Sequence, residues 1–133
     1  MKQWFIGCCL ALLAFPLFSQ EPERKPGRIQ FDVQDVYLDT LTFRADTVFT
    51  QLYPFVNVGE SPLTFAEVSA GCSCISVDLP KEPVPAGEAS EIVVHFTPHW
   101  AGDFHHSIGL VTDGSPRVRF ISLNVVLLNP DTR

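Results

Sequence analysis

Two cysteines separated by a single residue, Cys72 and Cys74 in Gly71-Cys72-Ser73-Cys74, are the side chains of this chain best suited to chemistry. In an extended strand residues i and i+2 point the same way, so both sulfurs would share one side with their Cα atoms roughly 6.5–7 Å apart. That lies at or just past the upper limit for a disulfide, so an internal bridge needs a local bend. Three roles stay open. The pair could be small buried hydrophobes where a strand turns, a reversible thiol/disulfide couple, or a soft-metal site in which two thiolates grip Cu(I). Zinc suits the pair less well than copper, because it takes four ligands and no second cysteine pair is left in the mature chain to complete the set.

The histidines supply no obvious partner for these sulfurs. His105 and His106 are neighbours on a strand-like run and point to opposite faces. His95 falls out of phase with Ile92, Val94 and Phe96 and reads as a solvated-face residue. His106 shares phase with Phe104 and Ile108 and reads as a strand-end or rim residue, while His99 sits in an exposed Pro98-His99-Trp100 turn. No serine elbow, phosphate-cradling glycine loop or paired-carboxylate motif is present. Glu82, Glu88 and Glu91 read as solvated charges, so no catalytic constellation is expected.

The chain opens on Met1-Lys2, runs apolar from Trp4 to Phe18 and turns polar at Ser19-Gln20-Glu21. This is the pattern of a secretory signal peptide over residues 1–19, cleaved after Ser19. The run is too short for a comfortable transmembrane helix and contains Pro16, so no transmembrane span is expected. Cys8 and Cys9 leave with the leader, and the mature protein is expected in the periplasm or outside the cell, where disulfides persist.

Removing the leader takes one lysine and no acid, leaving 8 basic against 15 acidic side chains, a formal charge of −7. That balance excludes a phosphate-backbone partner, since nucleic-acid binding relies on clustered cations. The one basic cluster is Arg24-Lys25 with Arg28, at a flexible lead-in expected over residues 20–27, which holds Pro22, Pro26 and Gly27. One domain is expected over residues 28–130.

From Arg28 the chain alternates strand-like runs with turn signals and shows no helical period. The first run is Ile29 to Val33, continuing loosely to Leu38. Thr47 to Val58 places Phe49, Tyr53 and Phe55 on one face, and Leu63 to Val68 and Ile75 to Leu79 follow. A proline-rich loop from Pro80 to Gly87 precedes Ser90 to Pro98, with Ile92, Val94 and Phe96 on one face. Phe104, His106, Ile108 and Leu110 define the next strand. Asp113-Gly114-Ser115-Pro116 turns the chain into Arg117 to Leu128. About seven antiparallel strands at roughly 8–14-residue spacing predict an all-β, immunoglobulin-like β-sandwich, with a small barrel as the alternative.

From Ile29 to about Asn129 the chain resembles the bacterial domain-of-unknown-function family 1573. Tyr53, Phe55, Asn57 and Gly59 meet its aromatic-x-aromatic-x-Asn-x-Gly element, and Pro62, Leu63 and Val68 the next. Cys72 and Cys74 fall on its two cysteines, Gly87 on its turn glycine, and Gly102 and Phe104 on its Gly-x-Phe. Gly71, Ser73, Ile75 and Ala86 depart from the usual Ser, Gly, Thr and Pro. The resemblance implies an immunoglobulin-like fold related to abnormal-spindle and hydin-type domains and to periplasmic chaperones, which are mostly protein-binding modules. On that basis the chain is expected to be a non-catalytic protein-binding module of the bacterial cell envelope without a cofactor, its partner another envelope protein. A Cys-x-Cys copper or thiol-redox protein is the alternative.

Overall fold

The computed structural model describes residues 23–131. The expected signal peptide and the start of the lead-in lie outside the described residues.

Eight strands follow in order: β1 (Ile29–Phe31), β2 (Asp35–Thr42), β3 (Phe49–Asn57), β4 (Phe65–Ser69), β5 (Ile75–Asp78), β6 (Ala89–Phe96), β7 (Gly102–Thr112) and β8 (Val118–Leu128). They form two four-stranded sheets, β1-β3-β6-β5 and β2-β8-β7-β4, and so an all-β sandwich of the immunoglobulin-like class. The run from Ile29 to Leu38, which reads as one strand, divides between the sheets: β1 pairs antiparallel with β3, whereas β2 pairs parallel with β8. The switch adds the eighth strand, and the chain carries no glycine or proline there to signal it.

Alternation decides which face of each strand goes inside. Along β6, Ile92, Val94 and Phe96 are fully buried, and along β8 so are Ile121, Leu123, Val125 and Leu127. The even positions of β8 face out, leaving Val118, Phe120 and Leu128 exposed. The two layers are also pinned by a polar bond. Tyr53 of β3 is buried, and its hydroxyl donates to the Ser122 carbonyl of β8 at 2.7 Å. Burial, and then the nearby Asp35 carboxylate, push its phenol well above the ordinary range.

Lys25 to Gly27, expected to lead in freely, are fastened to the domain. The Lys25 amide donates to Glu60 at 3.1 Å, its carbonyl accepts from the Ser61 hydroxyl at 2.9 Å, and the Gly27 carbonyl accepts from the Ser115 amide at 2.8 Å.

One histidine enters the core margin. The His106 ring lies 5.0 Å from that of Phe96 and 5.9 Å from that of Phe104, and its Nε2 is buried without a hydrogen-bond partner among the described residues. It is a half-buried member of an aromatic cluster, deeper than a rim residue. Burial, and then the neighbouring His105, push its pKa below the ordinary 6.5. The unfolded chain therefore takes up this proton first as the pH falls. The contribution of His106 to stability is expected to be fully present above about pH 7 and to decline as the pH drops through about 6.5 toward the lowered folded value. His106→Leu is expected to flatten that part of the urea-midpoint profile, and an unchanged slope would place the acid sensitivity in other groups.

Candidate functional site

Asn57 is fully buried at the end of β3, and its amide serves three segments at once. Oδ1 accepts from the Arg28 amide at 3.0 Å and the Gly59 amide at 3.1 Å, while Nδ2 donates to the Ser61 and Val84 carbonyls, both at 2.9 Å. These backbone groups lie where the strand ladders end, so a side chain must satisfy them. Gly59 is required beside it for space. A Cβ there would strike the Pro26 carbonyl and come within 2.6 Å of the Gly27 Cα. Leu63, also fully buried, exchanges two backbone bonds with Val84, at 2.9 and 2.8 Å. The Gly87 amide donates to the Asn57 carbonyl at 2.7 Å. Phe55 meets Phe31 and Phe65 edge-on, with ring centres 6.0 and 5.6 Å away. Tyr53, Phe55, Asn57, Gly59, Leu63 and Gly87 thus run from the inter-sheet core to one end of the sandwich and build its frame.

Cys72 and Cys74 lie at the other end, where the chain crosses from the edge strand β4 to the edge strand β5. They are joined by a disulfide, with Cα atoms 5.2 Å apart. The bend that an internal bridge requires is present. The Ile75 amide donates to the Cys72 carbonyl at 3.2 Å, and Gly71 takes φ +66°. The left-handed residue therefore stands just ahead of the pair, where the family pattern has serine. The Cys74 amide points at Cys72 Sγ, 3.1 Å away, and the Cys74 carbonyl accepts from the Thr97 amide at 2.9 Å. Both cysteines are half-buried against the core. Gly102 opens β7 nearby, and Phe104 packs its ring 5.1 Å from Phe96, the strand partner of Ile75. As a disulfide the pair offers no thiolate to a metal, so copper binding requires its reduction. Among the described residues no three His, Cys, Asp or Glu side chains converge as a metal site.

A third arrangement was not legible in the sequence. Across the outer face of β3, β6 and β5, the Thr50 hydroxyl lies 3.1 Å from His95 Nδ1, and His95 Nε2 lies 2.8 Å from an Asp78 carboxylate oxygen. The order is that of a hydroxyl nucleophile, base and orienting carboxylate. It stands on an open sheet face, where the surrounding backbone amides are directed along the ladders and not toward a substrate oxygen. The row therefore acts as a pin across three strands. His95 is on the outer face, as its phase predicted.

A fourth feature is electrostatic. At the Asn57 end Lys25 and Arg28 line a concavity of about 530 Å³, with Glu60 as its acid. Arg28 and Val58 also line an adjoining one of about 430 Å³, which reaches Arg119 on β8. Arg28 was visible in sequence as part of a basic cluster. Arg119 was not, because it approaches Arg28 only in the fold.

A two-sheet frame with an Asn-x-Gly joint and a Cys-x-Cys crossover defines an immunoglobulin-like domain. The chain belongs to the family described as "Protein of unknown function (DUF1573)", which it matches over residues 29–127. No curated protein matches it. Among solved structures it is similar to a protein of unknown function from Porphyromonas gingivalis W83, with a TM-score of 0.68 and 14% identity over 84% of this chain and 51% of that one. It is also similar to the ASH/PapD-like domain 7 of human CEP192, with a TM-score of 0.62 and 9% identity over 92% and 97% of the two chains. A third is the Vibrio cholerae VesB protease, with a TM-score of 0.54 and 14% identity over 73% of this chain and 30% of that one. The chain thus spans about half the length of the Porphyromonas protein. At such identities the likeness is one of fold.

Asn57→Ala is expected to cost about 2–4 kcal/mol in urea unfolding, because it strands buried backbone groups from three segments. A loss below about 1 kcal/mol would mean that these groups find other partners and that Asn57 is no joint.

Proposed function

We propose that the chain is an exported, non-catalytic protein-binding module of the bacterial cell envelope. The observation that carries the reading is the exposure of large aromatic side chains at two places on the outer face of the β2-β8-β7-β4 sheet, on either side of the Asp35–Ser122 pair. Tyr37 of β2 and Phe120 of β8 are 74% and 60% exposed, and Val118 lies beside Phe120 at 45%. Aromatic residues supply most of the energy at association surfaces. The signal-peptide pattern of residues 1–19 supports export. A disulfide between Cys72 and Cys74 is in keeping with an oxidising compartment. The partner is another envelope protein.

Tyr37→Glu combined with Phe120→Ser is expected to leave the unfolding midpoint nearly unchanged, since both side chains are exposed. The same variant should lose the proteins that co-purify with the wild-type domain from its host envelope. Retention of the same partners at wild-type yield would exclude this face as the binding surface.

A second reading, thiol–disulfide exchange, is favoured by the disulfide itself, which closes over one residue at a half-buried turn. A partner dithiol would attack one sulfur, form a mixed disulfide and then resolve it. It would leave as a disulfide, with Cys72 and Cys74 as thiols. Because the closed loop is so short, the chain-entropy account gives the bridge only about 1–2 kcal/mol. Cys72→Ser with Cys74→Ser is expected to fold with a loss of that order, and Cys74→Ser alone to accumulate a mixed disulfide in the envelope. Unfolding of the double variant, or a single variant recovered wholly as a free thiol, would make the pair a structural staple.

A further inference from the structure

Arg28 and Arg119 are like charges held together by the fold. The Arg28 carbonyl is fixed by the Val58 amide at 2.8 Å. Arg119 Nη1 donates to the Ile29 carbonyl at 2.6 Å, and its guanidinium lies over the Phe31 ring, 5.5 Å from the centroid. Burial, and then the charge of Arg28, lower the pKa of Arg119, although a guanidinium stays protonated. None of Lys25, Arg28 and Arg119 has an ion-pair partner among the described residues. Three cations without an ion-pair partner, against the one carboxylate of Glu60, surround two adjoining concavities in a chain of net charge −6, so the local balance is positive where the protein as a whole is acidic. An incoming carboxylate would relieve the repulsion between the two guanidiniums.

Part of the backbone beside them is also available. Gln30 faces Val56 in the β1–β3 ladder, the Arg28 carbonyl accepts from Val58, and the Asp32 amide donates to the Pro54 carbonyl at 3.3 Å. Backbone groups alternate in direction along an antiparallel pair. Ile29 and Phe31 therefore direct theirs to the other side, where β1 has no neighbouring strand. Arg119 already occupies the Ile29 carbonyl, and Phe31 presents its amide and carbonyl at the open edge. Gln30 and Gln34 line the same concavity; the Gln34 amide already donates to the Phe120 carbonyl at 3.3 Å, and Gln30 can bond to a peptide backbone.

We propose that this seam between β1 and β8 takes up an extended peptide segment bearing acidic side chains, its backbone along the free edge of β1 and a carboxylate on Arg28. It rests on the reading of the domain as a protein-binding module and names a partner chemistry at a place distinct from the Tyr37–Phe120 face. The edge is three residues long, so charge, more than the ladder, must select the segment.

The test uses the purified mature protein and fluorescein-labelled peptides of alternating threonine and glutamate, threonine and glutamine, or threonine and lysine, followed by anisotropy. The glutamate peptide is expected to bind at least about tenfold more tightly than the other two. Its affinity should fall by about tenfold or more between low and high salt. Arg28→Glu should remove that preference, while Arg44→Glu, outside the seam, should not. Hydrogen exchange on the wild-type protein is expected to show protection at Ile29 and Phe31 when the glutamate peptide is present. Equal binding of the glutamine peptide, no binding at all, an unaffected Arg28→Glu variant, or protection confined to another edge would each overturn the inference. Should Arg28→Glu fail to fold, the peptide preference and the exchange pattern of the wild-type protein still decide. If the peptides fail while Tyr37 and Phe120 still govern co-purification, the seam is wrong and the broader reading stands. If the glutamate peptide binds as described while co-purification ignores Tyr37 and Phe120, the seam stands and the Tyr37–Phe120 face is wrong.

Discussion

The structure depends first on one buried amide. Asn57 sits where β3 leaves the core, and its side chain satisfies backbone groups from the segment entering β1, the Gly59–Ser61 turn and the loop before β6. None of these segments is a long strand, so none can satisfy all its own groups through a ladder. An unpaired amide or carbonyl in this position would carry a desolvation penalty comparable to the net value of several good contacts. The absence of a side chain at Gly59 lets Pro26 and Gly27 pass over the turn at backbone distance. The Asn-x-Gly pair is therefore a joint: the asparagine supplies bonds and the glycine supplies room.

The two ends of the sandwich solve the same closure problem by different means. At the Asn57 end hydrogen bonds hold the crossing segments. At the other end the crossing from β4 to β5 is closed covalently by Cys72 and Cys74, which pack against the core. Between them the Tyr53 hydroxyl spans the sheets to Ser122. Groups able to react or to attract charge are thereby confined to the ends and the outer faces. Of these, the His95 row bridges three strands on an open face.

Much of the frame was legible because it rests on local periodicity. The alternation of Phe49, Tyr53 and Phe55, and of Ile92, Val94 and Phe96, fixed the buried faces of β3 and β6. That a bridge at Cys72-Ser73-Cys74 would need a bend followed from strand geometry, and Gly71 supplies left-handed backbone just ahead of it. What was not legible depends on pairing between distant residues. Ile29 to Leu38 alternates well enough for one strand, and only the parallel partner β8 draws β2 into the second sheet. The inward phase of Arg119 could be read beside Ile121, but its bond to the Ile29 carbonyl could not. The same holds for Thr50, His95 and Asp78, which meet only once three strands are in register. The His106 phase was plain from Phe104 and Ile108, whereas its buried, partnerless nitrogen follows from the depth of packing around it.

Apart from the Cys72–Cys74 pair, the positions that define the family and the positions that expose chemistry are different sets. Tyr53, Phe55, Asn57, Gly59 and Leu63 are almost wholly withdrawn from solvent or committed to backbone, so they can specify a frame and cannot read a partner directly. Tyr37 and Phe120 on one face, and Arg28 and Arg119 at one seam, lie outside that pattern and remain free to change without unbuilding the domain. The Asn57 joint nevertheless governs the seam. It anchors the Arg28 amide, and the Val58 bond that orients Arg28 begins one residue beyond it. The frame thus presents the Arg28 and Arg119 charges at a fixed place beside the open edge of β1. In a domain of this architecture, partner choice can then vary through a few rim side chains while the buried amide and the inter-sheet core stay as they are.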